Sequence, residues 1–320
     1  MAGERMSSHR YLPFCAYLLK VSLGGSVTKH KTNTEEFTMI AITGATGQLG
    51  QRVIENLLKT MPASHIVAIV RNPQKAAPLS QRGISVRQAD YANEAALATA
   101  LQGIDKLLLI SSSEVGQRAA QHRNVIQASL AAKVKFIAYT SLLHADKSPL
   151  ALAGEHVETE KMLAESGIPH TLLRNGWYTE NYLASVPAAL KHGVFIGAAG
   201  EGKIASAMRS DYAAAAARVI SEEGHAGNVY ELAGDDAWTL SQLADELTHQ
   251  SGKKIVYQNL SEADFAAALK GAGLPDGLAD MLANSDAGAA KGGLFDDSHT
   301  LRKLIGRPTT ALTESIRSVL

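Results

Sequence analysis

The stretch Met39-Ile-Ala-Ile-Thr-Gly-Ala-Thr-Gly-Gln-Leu-Gly50 carries the strongest structural signal in this 320-residue chain. Ile40 to Thr43 suit a strand, glycines follow at 44, 47 and 50, and an amphipathic helix pattern begins at Gln48. A strand that ends in a glycine turn and feeds a helix is suited to holding a pyrophosphate. Bare amides and the positive end of the helix dipole face the anion, and side chains there would block its approach. The spacing G-x-x-G-x-x-G is a variant of the dinucleotide fingerprint G-x-G-x-x-G.

On either side of this stretch the chain alternates strand and helix. Strands are predicted at 40–43, 66–70, 85–88, 106–110, 136–140 and 171–173. Helices are predicted at 48–60, 73–82, 94–102, 117–132 and 152–166. Short apolar strands with amphipathic crossovers read as βαβ units, hence an α/β fold with a Rossmann-type doubly wound parallel sheet. The alternation loosens after Arg174. The Ala-rich helix 211–221 and the strand 229–232 are expected to return to the sheet. We therefore expect a dinucleotide-binding domain over 39–174 with a return segment 204–234. A smaller, mostly helical C-terminal substrate lobe, 175–203 and 235–320, is expected to cover the carboxyl ends of the strands.

Lysines and arginines number 31, as do aspartates and glutamates, so the formal net charge is zero. That balance argues against nucleic acid or an acidic membrane surface as the main partner. Cys15 is the single cysteine, which excludes a disulfide framework and a cysteine metal site and fits a reducing cytoplasm. In the leader 1–38 the apolar stretch 11–19 is too short for a bilayer, which needs about 20 residues. A basic start before a short apolar core is also the signal-peptide pattern, but no small-residue cleavage box follows. Met39 stands directly before the strand, as an initiator would. The leader is expected to be a disordered extension or an upstream-start artefact.

Cofactor choice turns on the end of the second strand. NAD-specific folds carry an acid there, on the ribose hydroxyls. Here Ile66-Val-Ala-Ile-Val70 runs into Arg71-Asn72-Pro73, and a guanidinium at that point can grip a 2′-phosphate. NADPH is therefore expected over NADH. Asp90-Tyr91 admits two readings, an adenine contact or a cap for the helix at Glu94. Ser111-Ser-Ser-Glu114, after the fourth strand, offers hydroxyls to the cofactor or to its own turn.

Short-chain dehydrogenases use a helical Tyr-x-x-x-Lys pair as proton donor and pKa-lowering cation. The lysine counterpart here is Lys161, and four residues earlier stands Val157, so the acid is missing. An unactivated ketone needs a positioned proton donor in the transition state. A quinone needs less help, because hydride addition aromatises the ring and leaves a stabilised phenolate. His156 and Glu160 are i,i+4 neighbours able to pair across a turn. No metal-ligand spacing accompanies them.

Gly44-Ala-Thr-Gly-Gln-Leu-Gly50, Arg71-Asn72, Glu160-Lys161-Met-Leu and Ser166-Gly-Ile-Pro-His-Thr-Leu-Leu-Arg174-Asn-Gly-Trp177 resemble the NmrA-like atypical short-chain dehydrogenases. Within that group, Arg174 to Tyr182 and Lys291-Gly-Gly-Leu-Phe-Asp-Asp297 make the chain similar to the bacterial NAD(P)H:quinone oxidoreductase type 2 proteins over 39–320. The resemblance implies two-electron quinone reduction with NADPH and without flavin. Its implied cofactor contacts are Gly44, Thr46, Gly47, Gln48, Leu49, Gly50, Arg71, Ser112, Ser113, Glu114 and Arg174. Lys161, Asn175 and Tyr178 carry the implied catalytic roles. Trp177, Tyr178, Asn181 and Phe295 are the implied quinone contacts. Trp177 and Tyr178 equally suit ordinary packing aromatics, and Phe295 suits core packing better. The resemblance is compatible with a homodimer and implies no membrane insertion. A redox-sensing regulator that binds NADP(H) without turnover is the alternative, because some relatives are of that kind. A reductase or epimerase of nucleotide-linked or phenolic substrates is a third reading.

Overall fold

The first strands along the chain are β1 (Ile40–Thr43), β2 (Ile66–Val70), β3 (Ser85–Gln88), β4 (Lys106–Leu109), β5 (Phe136–Leu142) and β6 (His170–Asn175). They are followed by β7 (Val194–Gly197), β8 (Val229–Leu232) and β9 (Val256–Asn259). The structure is a computed structural model that describes residues 38–320. Cys15 and the reading of the leader, its last residue aside, lie outside the described residues.

Seven strands form one sheet in the order β3-β2-β1-β4-β5-β6-β8, every pair parallel. The order reverses beside β1, and α/β folds bind ligands in the crevice that such a switch point opens. The expected return of the chain occurs, since β8 completes the sheet beside β6. β7 and β9 pair separately.

Because strand side chains alternate, the sheet builds two apolar layers. Ile40, Ile42, Leu108, Ala138 and Leu173 pack with the helices Gln48–Leu57 and Arg209–Ser221. Ala41, Val67, Ile69, Leu107, Leu109, Ile137 and Tyr139 pack on the other side with Leu97, Val125, Ile126 and Leu163. Ala213, Ala215, Ala216 and Ala217 are buried, and their small side chains let the Arg209–Ser221 helix approach closely. A third cluster joins Leu142, Trp177, Tyr182, Phe195, Trp238, Leu240 and Leu294.

Three elements differ from expectation for clear reasons. β5 and β6 run longer than predicted because Ser141 pairs with Arg174 and Leu142 with Asn175 at their carboxyl ends. The predicted helix 73–82 is a 3-10 turn, Pro73–Ala76, followed by a short helix, Ala77–Gln81. Pro78 lacks an amide and fits only a first helical turn, so the helix restarts at Ala77. Among the described residues no helix is long and apolar enough to cross a membrane.

Candidate functional site: a dinucleotide cradle at the switch point

Gly44 follows β1 with φ +60°, a left-handed conformation that glycine adopts without strain. The Gly47 amide bonds back to the Gly44 carbonyl at 2.9 Å and closes the turn. Gly50 is required by close approach: a Cβ there would lie 2.4 Å from the Gly44 oxygen and 2.8 Å from Ala45 Cα. The helix Gln48–Leu57 opens on Gly47 with no side-chain cap and no acid in its first turn. Its leading amides therefore face the crevice ready for an anion. Gly44, Gly47 and Gln48 are exposed and Thr46 is half-buried, whereas the Leu49 side chain is spent in the core.

Arg71 stands one residue past β2, and Ser111 to Glu114 follow β4, so the two flank the glycine turn that ends β1. Arg71 Nη1 pairs with Glu114 Oε1 at 2.5 Å, and Gln121 Nε2 donates to Glu114 Oε2 at 2.6 Å. Ser113 is exposed, while Ser112 is buried and held on three sides. The Ser112 amide donates to His122 Nε2, its carbonyl accepts from Arg118 Nε, and its hydroxyl accepts from the Glu114 amide. Asp90 is not the helix cap, because Asn93 accepts from the Ala96 amide in that role. Tyr91 donates its hydroxyl to the Ile110 carbonyl at 2.8 Å.

At the carboxyl end of β6, Asn175 is buried, and its Oδ1 has no hydrogen-bond partner among the described residues. Its amide is turned toward the phenol of Tyr178, whose ring lies 4.2 Å beneath the Arg209 guanidinium and edge-on to Tyr212. Burial pushes the Tyr178 hydroxyl above its ordinary pKa, so it stays protonated. Arg209 also donates to Asn181 Oδ1 at 2.8 Å. Trp177 is 8% exposed within the third cluster, so its indole is core packing rather than an open stacking face. Phe295 is half-buried with the Lys203 ammonium 6.0 Å from its ring centre.

Two implied roles are corrected by the geometry. Lys161 lies on the solvent face of the helix Ala153–Ser166 with its side chain 73% exposed, and its recorded ion-pair partner is Glu165 at 3.8 Å. Val157, one turn earlier, is on that same outer face. The sheet-facing positions are instead His156, Thr159 and Leu163. Arg174 is equally removed from cofactor duty. Its guanidinium donates to both oxygens of Glu160, to Asp146 and to Glu231, and the Glu160 and Glu231 carboxylates raise its pKa further. Neither His156 nor Glu160 pairs with the other: His156 Nδ1 meets the Tyr139 hydroxyl at 2.7 Å, and Glu160 accepts from Ser141 and Arg174.

The sequence reading missed His122. It accepts the Ser112 amide on Nε2, which puts its own proton on Nδ1, facing Thr159 Oγ1 at 2.9 Å. Burial, with Arg118 nearby, holds its pKa at about 3, so the ring is neutral. The available signal was a histidine three and four positions before Val125 and Ile126, on a helix face that turns inward.

The chain matches the model of the NmrA-like family over residues 36–314. Quinone oxidoreductase 2 of Escherichia coli (strain K12) is 79% identical over 278 residues, covering 87% of this chain and 97% of that protein. The crystal structure of the NADPH-dependent quinone oxidoreductase of Escherichia coli complexed with NADPH superposes with a TM-score of 0.86 at 78% identity. That match covers 88% of this chain and 99% of the other. Triphenylmethane reductase of Citrobacter sp., complexed with NADP(H), gives 0.85 at 40% identity over 88% and 100% of the two chains. With a glycine cradle at the switch point of a parallel sheet, and a family match spanning nearly all of the described residues, the chain belongs to the NmrA-like family.

Proposed function

We propose that this protein is an NADPH-dependent quinone oxidoreductase that reduces quinones by two electrons without flavin. The observation that carries the reading is the uncapped, acid-free N-terminus of the Gln48–Leu57 helix with Arg71 beside it at the end of β2. The 79% identity to quinone oxidoreductase 2 of Escherichia coli supports the substrate class. Bound NADPH supplies a hydride from its nicotinamide. The free amides of Gln48 to Gly50 would hold the pyrophosphate, and Arg71 would hold the 2′-phosphate. The residues fit such a guest: the cradle has no side chain to displace, and Asn175 Oδ1 is a buried acceptor in need of a donor. A carboxamide N–H of the nicotinamide is a donor of the required kind. Tyr178 and Asn181 then border the quinone, with the Arg209 charge close by to favour the anion that hydride addition leaves. Steady-state oxidation of NADPH with a simple benzoquinone, on protein free of flavin, is the test. No turnover above the buffer rate, together with comparable affinity for oxidised and reduced cofactor, would make the protein a sensor instead.

A further inference from the structure

The Arg71–Glu114 ion pair connects the end of β2 to the loop after β4, and β1 lies between those strands. It therefore bridges the glycine turn, over the crevice at the switch point. Glu114 is held for this contact from several sides. Its amide is tied to Ser112 Oγ, its second oxygen accepts from Gln121, and Ser112 is fixed by His122 and Arg118. Arg71 is steadied from its own side, where its carbonyl accepts from Gln88 Nε2 at 3.1 Å. Glu114 takes Nη1 of the Arg71 guanidinium, and a phosphate gripping that group through Nη1 would compete with the carboxylate for it.

Resting on the NADPH reading, we infer that Glu114 is a specificity-determining residue: its carboxylate occupies Arg71 in place of the cofactor's 2′-phosphate. NADPH must take Arg71 from Glu114, whereas NADH has no group that competes for it. The pair thus lowers the affinity for NADPH selectively and trims the advantage that Arg71 alone would confer. Both side chains are substantially exposed, at 63% and 40%, so the competition is modest.

The test is the equilibrium binding of NADPH and NADH, by nucleotide fluorescence or calorimetry, to wild type, Glu114→Gln, Arg71→Ala and the double variant. Glu114→Gln should tighten NADPH about two- to fivefold and leave NADH unchanged, the range expected for an exposed ion pair. In the Arg71→Ala background the same substitution should change neither. Equal weakening of both nucleotides by Glu114→Gln would make Glu114 a direct ligand contact and overturn the inference, as would no change for NADPH. Failure of the NADPH reading is a separate outcome, seen when Arg71→Ala alone weakens NADPH and NADH alike.

Discussion

The amide of Ser112 donates a 2.9 Å hydrogen bond to Nε2 of His122, ten residues along and on the following helix. This contact couples a buried, neutral histidine to the loop that borders the cofactor crevice. Replacing His122 with Leu strands the Ser112 amide in a buried setting, at about 1–3 kcal/mol, while the Thr159 hydroxyl keeps its bond to the Glu155 carbonyl. Urea unfolding should show that loss. The KM for NADPH should rise severalfold while kcat changes less, because the ring positions the loop and does not touch the reacting atoms.

Arg71→Ala should raise the KM for NADPH by about tenfold or more and barely alter that for NADH, since one charge-assisted contact to phosphate is lost. Parallel steady-state kinetics with the two cofactors measures it. An equal effect on both would remove Arg71 from the 2′-phosphate.

Lys161→Ala should retain wild-type turnover and cofactor KM. The ammonium is exposed and paired one turn along its own helix with Glu165. A large fall in kcat would return the lysine to the site.

Gly50→Ala should cost at least about tenfold in NADPH affinity and destabilise the fold, because its Cβ would collide with backbone atoms that cannot yield cheaply. Gly154→Ala is a natural control, since a Cβ there meets open space. It should be neutral or stabilising by a few tenths of a kcal/mol. Titration of NADPH and thermal unfolding of the two variants separate these outcomes.

Stability should depend on pH through groups of opposite sign. His122 and His156 are held at about 3, against an ordinary 6.5, by burial and nearby positive charge. Between those values the unfolded chain binds more protons, so stability falls as pH drops through the window. Asp286 behaves in the opposite way. Burial raises it from 3.8 to about 6, with the Ala198 amide and the Tyr182 hydroxyl only partly offsetting the cost. Its contribution is present below about pH 4 and is lost as pH rises through 6. Asp286→Asn should therefore stabilise the protein at pH 8, by up to about 3 kcal/mol, and do little at pH 4. Urea unfolding at pH 4, 6 and 8 checks the trend.

The sheet and its glycine cradle were legible because their signals are local. An apolar run of four or five residues forms a strand, and glycines three apart at its end form the turn. β1 and β2 have the predicted bounds for that reason. Arg71 was found in the same way, as the residue at the end of a readable strand. What could not be read is which partner a long polar side chain chooses. Arg174 bonds Glu160 and Glu231, 14 and 57 residues away, because β8 lies beside β6 and the Ala153–Ser166 helix packs on β5 and β6. The rotation of that helix likewise put His156 against Tyr139 and turned Lys161 to water. Hydrophobic spacing fixes a helix and a strand, but one residue of rotation changes which polar group faces inward. That choice is settled by packing against elements remote in the chain, and so are Trp177's burial and the His122 contact to Ser112.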